Sequence, residues 1–262
     1  MGLHAETDRS LPDLTGAVAV VIGASGGIGA AVAVGLGRCG AAVVLGGRSR
    51  DGMARTAEQV VAAGGTAHVG TVDVRDTDAI ARFAATVVDD HGAPRVLVNS
   101  MGGALHKPAL EVTVEEWDDL HSTHLRGAFF ACQAFAPAMR DAGYGKIVNM
   151  SSTWAFTVAH GRSVYASAKA GLGHLTSALA LEWAPFGIRV NAVAPTTVRT
   201  PRVEERLLAE PETEQYAVAR IPLGRLGTTD DVVGPVLFLA GCSSDFVTGH
   251  TLLVDGGWVT AK

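Results

Sequence analysis

The chain has 262 residues, 48% of them hydrophobic, which suffices to bury one sizeable core and calls for no second domain. A formal charge of −5 argues against a nucleic-acid surface, which needs a basic stripe. Nine scattered histidines pair with no acids or cysteines at metal spacing, so no metal is implied. Cys39, Cys132 and Cys242 are odd in number, far apart and in apolar surroundings, which suits buried thiols rather than disulfides.

Residues 1–12 read as a polar tail, and residues 13–262 as one domain. Glu6, Asp8 and Arg9 with no apolar run exclude a signal peptide or anchor there, so a cytoplasmic protein with no membrane contact is expected. The stretch Leu14 to Gly37 carries no charge and is long enough to span a membrane. Its seven glycines and turn motif favour a buried strand followed by a helix. Val- and Ala-rich runs at residues 17–22, 41–46, 66–72, 95–99, 146–151, 188–194 and 251–254 alternate with helix-length segments. That alternation predicts right-handed crossovers and a doubly wound parallel α/β sheet of about seven strands, with helices on both faces. Residues 196–228, rich in Glu and Arg and broken by Pro201, Pro211 and Pro222, interrupt the pattern after the sixth strand. They read as a flap over the ligand crevice or as a solvated helical hairpin. Asn149-Met-Ser151 matches a glycosylation sequon but lies in a predicted buried strand.

Two motifs carry chemistry. Gly23-Ala-Ser25-Gly-Gly27-Ile28-Gly29 joins the first apolar run to a helical stretch, where glycines let the backbone approach a pyrophosphate at a helix N-terminus. Tyr165 and Lys169 stand four residues apart, with Ser152 thirteen positions before Tyr165. On a helix that spacing brings the Lys169 ammonium toward the Tyr165 phenol, and a neighbouring opposite charge moves a pKa by about one to three units. Ser152 could hold a carbonyl or alcohol oxygen and present it to that phenol.

Together these residues resemble the short-chain dehydrogenase/reductase family over nearly the whole chain. Asp73-Val74-Arg-Asp, Asn99-Ser-Met-Gly102, Gly187-Ile-Arg-Val-Asn-Ala-Val-Ala-Pro195 and Thr248-Gly-His-Thr-Leu-Leu-Val-Asp-Gly-Gly257 fall where that family has motifs. The resemblance implies a single Rossmann-type domain whose catalytic residues are Ser152, Tyr165 and Lys169. It places the dinucleotide against Gly23, Ser25, Gly27, Ile28, Gly29, Asp73, Val74, Asn99, Tyr165, Lys169, Val198 and Thr200. At the end of the second strand Gly47 replaces the acid of NAD-preferring relatives and Arg48 follows. Arg48 either pairs with a 2′-phosphate, favouring NADP with NAD as the second option, or is a solvated loop residue. Gly26, which is basic in many NADP-preferring relatives, counts the other way.

The pattern departs from the family at His124 in His124-Leu-Arg-Gly127, where an asparagine is usual, at Ile22 and at Thr196. His124 either joins the proton relay or fills the space. Arg162, three residues before Tyr165, either clamps a substrate carboxylate beside Ser152 and Tyr165, or caps a helix or pairs with a flap acid such as Glu204. The expected activity is NAD(P)-dependent interconversion of a ketone and a secondary alcohol by hydride transfer. The C-terminal third is similar to sugar-acid 5-dehydrogenases, and 3-oxoacyl carrier-protein reduction is the first alternative. A non-catalytic dinucleotide sensor is an alternative of another class, disfavoured because tyrosine and lysine are both kept. The family also implies a homotetramer, with the helix bearing Leu172, Leu175, Leu179 and Leu181 and the C-terminal segment as contact surfaces.

Overall fold

The computed structural model describes residues 11–261; most of the expected polar tail lies outside them. Seven strands form one parallel sheet: β1 Val18–Ile22, β2 Ala42–Gly47, β3 Thr66–Thr71, β4 Val96–Asn99, β5 Gly145–Met150, β6 Ile188–Pro195 and β7 Thr251–Val254. Each begins and ends within a residue of the apolar run that predicted it. The reason is visible in β1, where Ala19 and Val21 enter one core layer while Val20 and Ile22 enter the other, all fully buried or nearly so.

The first layer packs Val32 and Leu36 of α1 (Gly27–Arg38), Met53 and Val60 of α2 (Arg50–Ala62) and Val232 and Val236 of α9 (Thr229–Ala240) against the sheet. The second packs Ile80 and Phe83 of α3 (Thr77–His91), Phe135 of α5 (Gly127–Asp141) and Leu172 and Leu179 of α6 (Ser163–Trp183). Leu172 and Leu179 therefore belong to this chain's own core and cannot be contact residues, as the apolar pattern of their helix suggested; Leu181, 81% exposed, faces outward. α6 is apolar around most of its circumference, so its sequence alone does not say which row faces the sheet. Asn149 is wholly buried and donates to Thr176, which leaves its sequon inaccessible.

Strand order is β3-β2-β1-β4-β5-β6-β7, so the winding reverses between β1 and β4. Ile22, Asn99 and Asn149 are register partners across β1, β4 and β5, which brings those carboxyl ends level. A ligand crevice opens outside strand ends at such a reversal. Beyond β6, α7 (Pro201–Ala209) and α8 (Pro211–Val218) lie off the sheet. Thr200 caps α7 by accepting from the Val203 N–H, and Leu207 buries against Ile221, Leu226 and Trp258. Among the described residues no helix is long and apolar enough to cross a membrane. Cys39 and Cys132 are buried as expected, but Cys242 is exposed, because it follows the end of α9 in the turn where the chain leaves the core.

Candidate active site

The loop after β1 approaches other backbone so closely that side chains are excluded. A Cβ on Gly29 would lie 2.2 Å from the Gly23 carbonyl oxygen, and one on Gly23 2.6 Å from the backbone of Ser100 and Met101 beyond β4. Gly26 precedes α1 with no side-chain cap, so the first N–H groups of α1 receive no side-chain acceptor from that residue. Thr200 rests against Gly27, its Cγ2 3.4 Å from the place of a Cβ. A glycine cradle with uncapped helix N–H groups fits a dinucleotide pyrophosphate. Arg48 is exposed just past β2, close enough to Asp73 to help lower its pKa. The Asp73 carboxyl is held at about 2, first by the Arg75 side chain, whose Nε and Nη2 donate to it at 3.1 and 2.7 Å. That carboxylate is thus already engaged within the chain.

Ser152 lies two residues past β5, 6% exposed, and its hydroxyl accepts from the Trp154 N–H at 3.3 Å at the start of a short 3₁₀ turn. Tyr165 and Lys169 occupy the first turns of α6, brought beside Ser152 as the spacing implied. The expected pull of Lys169 on the phenol is not what the surroundings produce. Burial raises the Tyr165 pKa, and the groups opposing that rise are the Ser152 hydrogen bond and the charge of Arg162. Lys169 is itself brought down to about 7 by burial. Its Nζ donates to the Met150 carbonyl at 2.6 Å and stands 5.7 Å from the Tyr165 ring centroid. Helical spacing gave the proximity; desolvation of both groups sets the protonation.

His124 sits in a π-helical turn, Ser122–Arg126, between α4 (Val114–His121) and α5. Its ring meets the Tyr165 ring edge-on, centroids 5.4 Å apart. Nε2 lies 2.8 Å from the Gly103 carbonyl oxygen and 3.1 Å from the Gly103 amide nitrogen, so it donates to the one or accepts from the other according to the tautomer. Nδ1 is buried with no hydrogen-bond partner among the described residues. Burial, followed by the nearby charge of Lys169, holds the imidazole neutral with a pKa of about 3. The ring fits because residue 102 is glycine: a Cβ there would lie 2.2 Å from His124 Cε1.

Arg162 precedes α6 without making a side-chain cap bond. It is half-buried, with its guanidinium 5.7 Å from the centre of the Trp154 ring. Burial depresses its pKa, and the charge of Arg206 on α7 depresses it further. Glu204 pairs with Arg199 at 2.8 Å instead of with Arg162. Trp154 meets Trp258 edge-on at 5.0 Å, so the turn after β7 forms part of the same wall. That turn is fixed by Asp255, which accepts from the N–H groups of Gly257 and Val259. Trp154, Trp258 and the arginines of α7 carry no local motif; only the i, i+4 spacing of Arg202 and Arg206 after a proline hinted that they share a helix face.

The arrangement brings together a buried hydroxyl, a phenol and a lysine whose pKa lies near 7, a set able to transfer protons beside a hydride-accepting carbon. Known proteins agree. The family model described as enoyl-(acyl carrier protein) reductase matches residues 23–259. Gluconate 5-dehydrogenase of Gluconobacter oxydans is 38% identical over 95% of this chain and 98% of its own. The 3-oxoacyl-[acyl-carrier-protein] reductase of Thermotoga maritima is 35% identical over 94% of this chain and 99% of its own. A crystal structure of gluconate 5-dehydrogenase from Burkholderia cenocepacia, in complex with NADP and tartrate, superposes with a TM-score of 0.91 at 31% identity, covering 97% of this chain and 99% of its own. The chain therefore belongs to the short-chain dehydrogenase/reductase family, as an NAD(P)-dependent oxidoreductase that interconverts a ketone and a secondary alcohol by hydride transfer.

Proposed function

We propose that the substrate is a polyhydroxy acid of the sugar-acid class and that NADP is the working cofactor. The observation that carries the substrate reading is Arg162, a half-buried guanidinium three residues before Tyr165 with no ion pair to any described carboxylate. A desolvated cation there suits a carboxylate beyond the reacting carbon, held by charge-assisted hydrogen bonds. The sugar-acid name of one relative and the tartrate bound to another support this reading.

In the proposed roles, Ser152 holds the substrate oxygen and Tyr165 delivers its proton in reduction or removes it in oxidation. Lys169 resupplies the phenol, with the neutral imidazole of His124 packed against the tyrosine ring. The bound dinucleotide supplies or accepts the hydride. Gly23, Ser25, Gly27, Ile28 and Gly29 would cradle its pyrophosphate, with Arg48 at the 2′-phosphate and Asp73 and Val74 beside the adenine. Asn99, Val198 and Thr200, with Tyr165 and Lys169, would bound the nicotinamide end. Residues 196–228 would form the flap.

The rival substrate, an acyl thioester on an acidic carrier protein, would call for a basic docking face beside the pocket. Residues 196–228 hold five arginines and five glutamates, so the segment as a whole carries no net charge. Following NADPH absorbance with D-gluconate, 5-keto-D-gluconate, acetoacetyl thioesters and neutral cyclic ketones separates the readings. Arg162→Leu should cost about 2–4 kcal/mol in kcat/KM for the acids and much less for neutral ketones. An equal small effect on both classes would remove the case for an acid.

The protein is further proposed to be a cytoplasmic homotetramer, joined through the outward side of α6 and the C-terminal segment. Leu181 and Phe246 are 81% and 106% exposed there. A stable monomer in light scattering at micromolar concentration would refute that assembly.

A further inference from the structure

Arg202 and Arg206 stand four residues apart on α7, and so on one face of that helix. The adjacent row, Val203 and Leu207, packs into the apolar cluster that also holds Trp154 and Trp258, which fixes α7 to the wall of the site. The arginine row is thereby set at the edge of the cleft. Arg202 Nη1 comes within 3.6 Å of where a Cβ on Gly103 would be, and Gly103 is the residue bonded to His124. Arg206 precedes Leu207, which shares the apolar cluster with Trp154, the ring that the Arg162 guanidinium lies over at 5.7 Å, and its charge is felt at Arg162.

No ion pair joins Arg162, Arg202 or Arg206 to a carboxylate among the described residues. Nearby arginines are treated differently. Arg199 is paired with both Glu204 and Glu214, and Arg225 with Asp231 at 2.6 Å. Glu204, Glu214 and Asp231 are thus taken up by the arginines that hold this region's own shape. Among the described residues Arg162, Arg202 and Arg206 are left without a carboxylate, as is Arg220 over the Trp258 ring, a grouping of positive charge suited to an anion arriving from outside.

We propose that Arg206, with Arg202 beside it, is the outer jaw of an anion clamp whose inner jaw is Arg162, so that one substrate carboxylate is gripped from both walls of the cleft. This rests on the acid-substrate reading above and adds the residues of α7 that select the acid. A carboxylate between the jaws replaces repulsion between two cations with two attractions, whereas a neutral polyol gains nothing from either.

The test is binding, measured on the enzyme with NADPH, which cannot accept hydride from an alcohol, by tryptophan fluorescence, since Trp154 and Trp258 line the same wall. D-gluconate and tartrate are titrated against neutral sorbitol. Wild-type enzyme should prefer the acids, and Arg206→Gln should weaken acid binding by about tenfold, with a smaller loss in Arg202→Gln. Arg206→Lys should recover part of the affinity, and added salt should weaken the wild type more than Arg206→Gln. Arg140→Gln, the same change of charge at the far end of α5, controls for net charge and should bind the acids as wild type does. Acid binding unaffected in both Arg206→Gln and Arg202→Gln would overturn the clamp while leaving the role of Arg162 standing. Wild-type enzyme that binds the acids no better than sorbitol would overturn both.

Discussion

Lys169→Met should make the cofactor-free protein more stable, by an amount that depends on pH in a direction fixed by the site. Burial brings the Lys169 pKa from 10.5 to about 7 in the folded chain. The unfolded chain therefore holds more protons between those values, and wild-type stability rises with pH across that window. Below pH 7 the whole cost of burying the ammonium is present, and above the unfolded value it is gone. At about 1.36 kcal/mol per pKa unit the ceiling is about 5 kcal/mol. Methionine keeps most of the side-chain volume but gives up the hydrogen bond to the Met150 carbonyl, a loss of about 1 kcal/mol. The variant should thus gain about 2–4 kcal/mol near pH 6, shrinking toward zero or reversing near pH 10. Urea unfolding of both proteins at equal concentration, at several pH values, measures the difference. A stability difference that stays constant from about pH 6 to 9.5 would show that Lys169 is not desolvated in the free enzyme.

Tyr165→Phe should abolish turnover while leaving NADPH affinity nearly unchanged, because the phenol stands apart from the glycine cradle; retention of more than a few per cent of kcat would sink its role as proton donor. Arg48→Ala should raise KM for NADPH about tenfold, equivalent to ~1.4 kcal/mol, with little effect on NADH. Equal losses with both cofactors would mean that Arg48 does not read the 2′-phosphate.

The sheet was almost wholly legible in the sequence. Strands covered on both faces must be apolar without interruption, and glycine turns punctuate them, so residues such as Val18–Ile22 and Ile188–Pro195 announce their own limits. Ser152, Tyr165 and Lys169 were legible for a related reason, since a strand end and one helix turn fix their relation locally. What depended on distant packing was not. Nothing near Tyr165 in the chain foretells that Trp258 closes the same wall, or that Arg206 stands beside Arg162. Spacing brought Lys169 toward Tyr165 but could not tell that desolvation would dominate both. The apolar surface of α6 likewise concealed that Leu172 and Leu179 face the sheet.

The π turn at Ser122–Arg126 has a consequence for how this site can vary. There the Gly127 N–H reaches the Ser122 carbonyl five residues back, so the helix holds one residue more than an α-turn would. That surplus residue sets the phase between α4 and α5, and with it the direction in which residue 124 points. Deleting Leu125 or Arg126 would let the helix run straight, rotating position 124 by about a quarter of a turn relative to α5. Substitution changes which ring lies beside the tyrosine, whereas chain length at this point decides whether any side chain does. Insertions and deletions here are therefore coupled to the chemistry in a way that their distance from Ser152 and Lys169 in the sequence conceals.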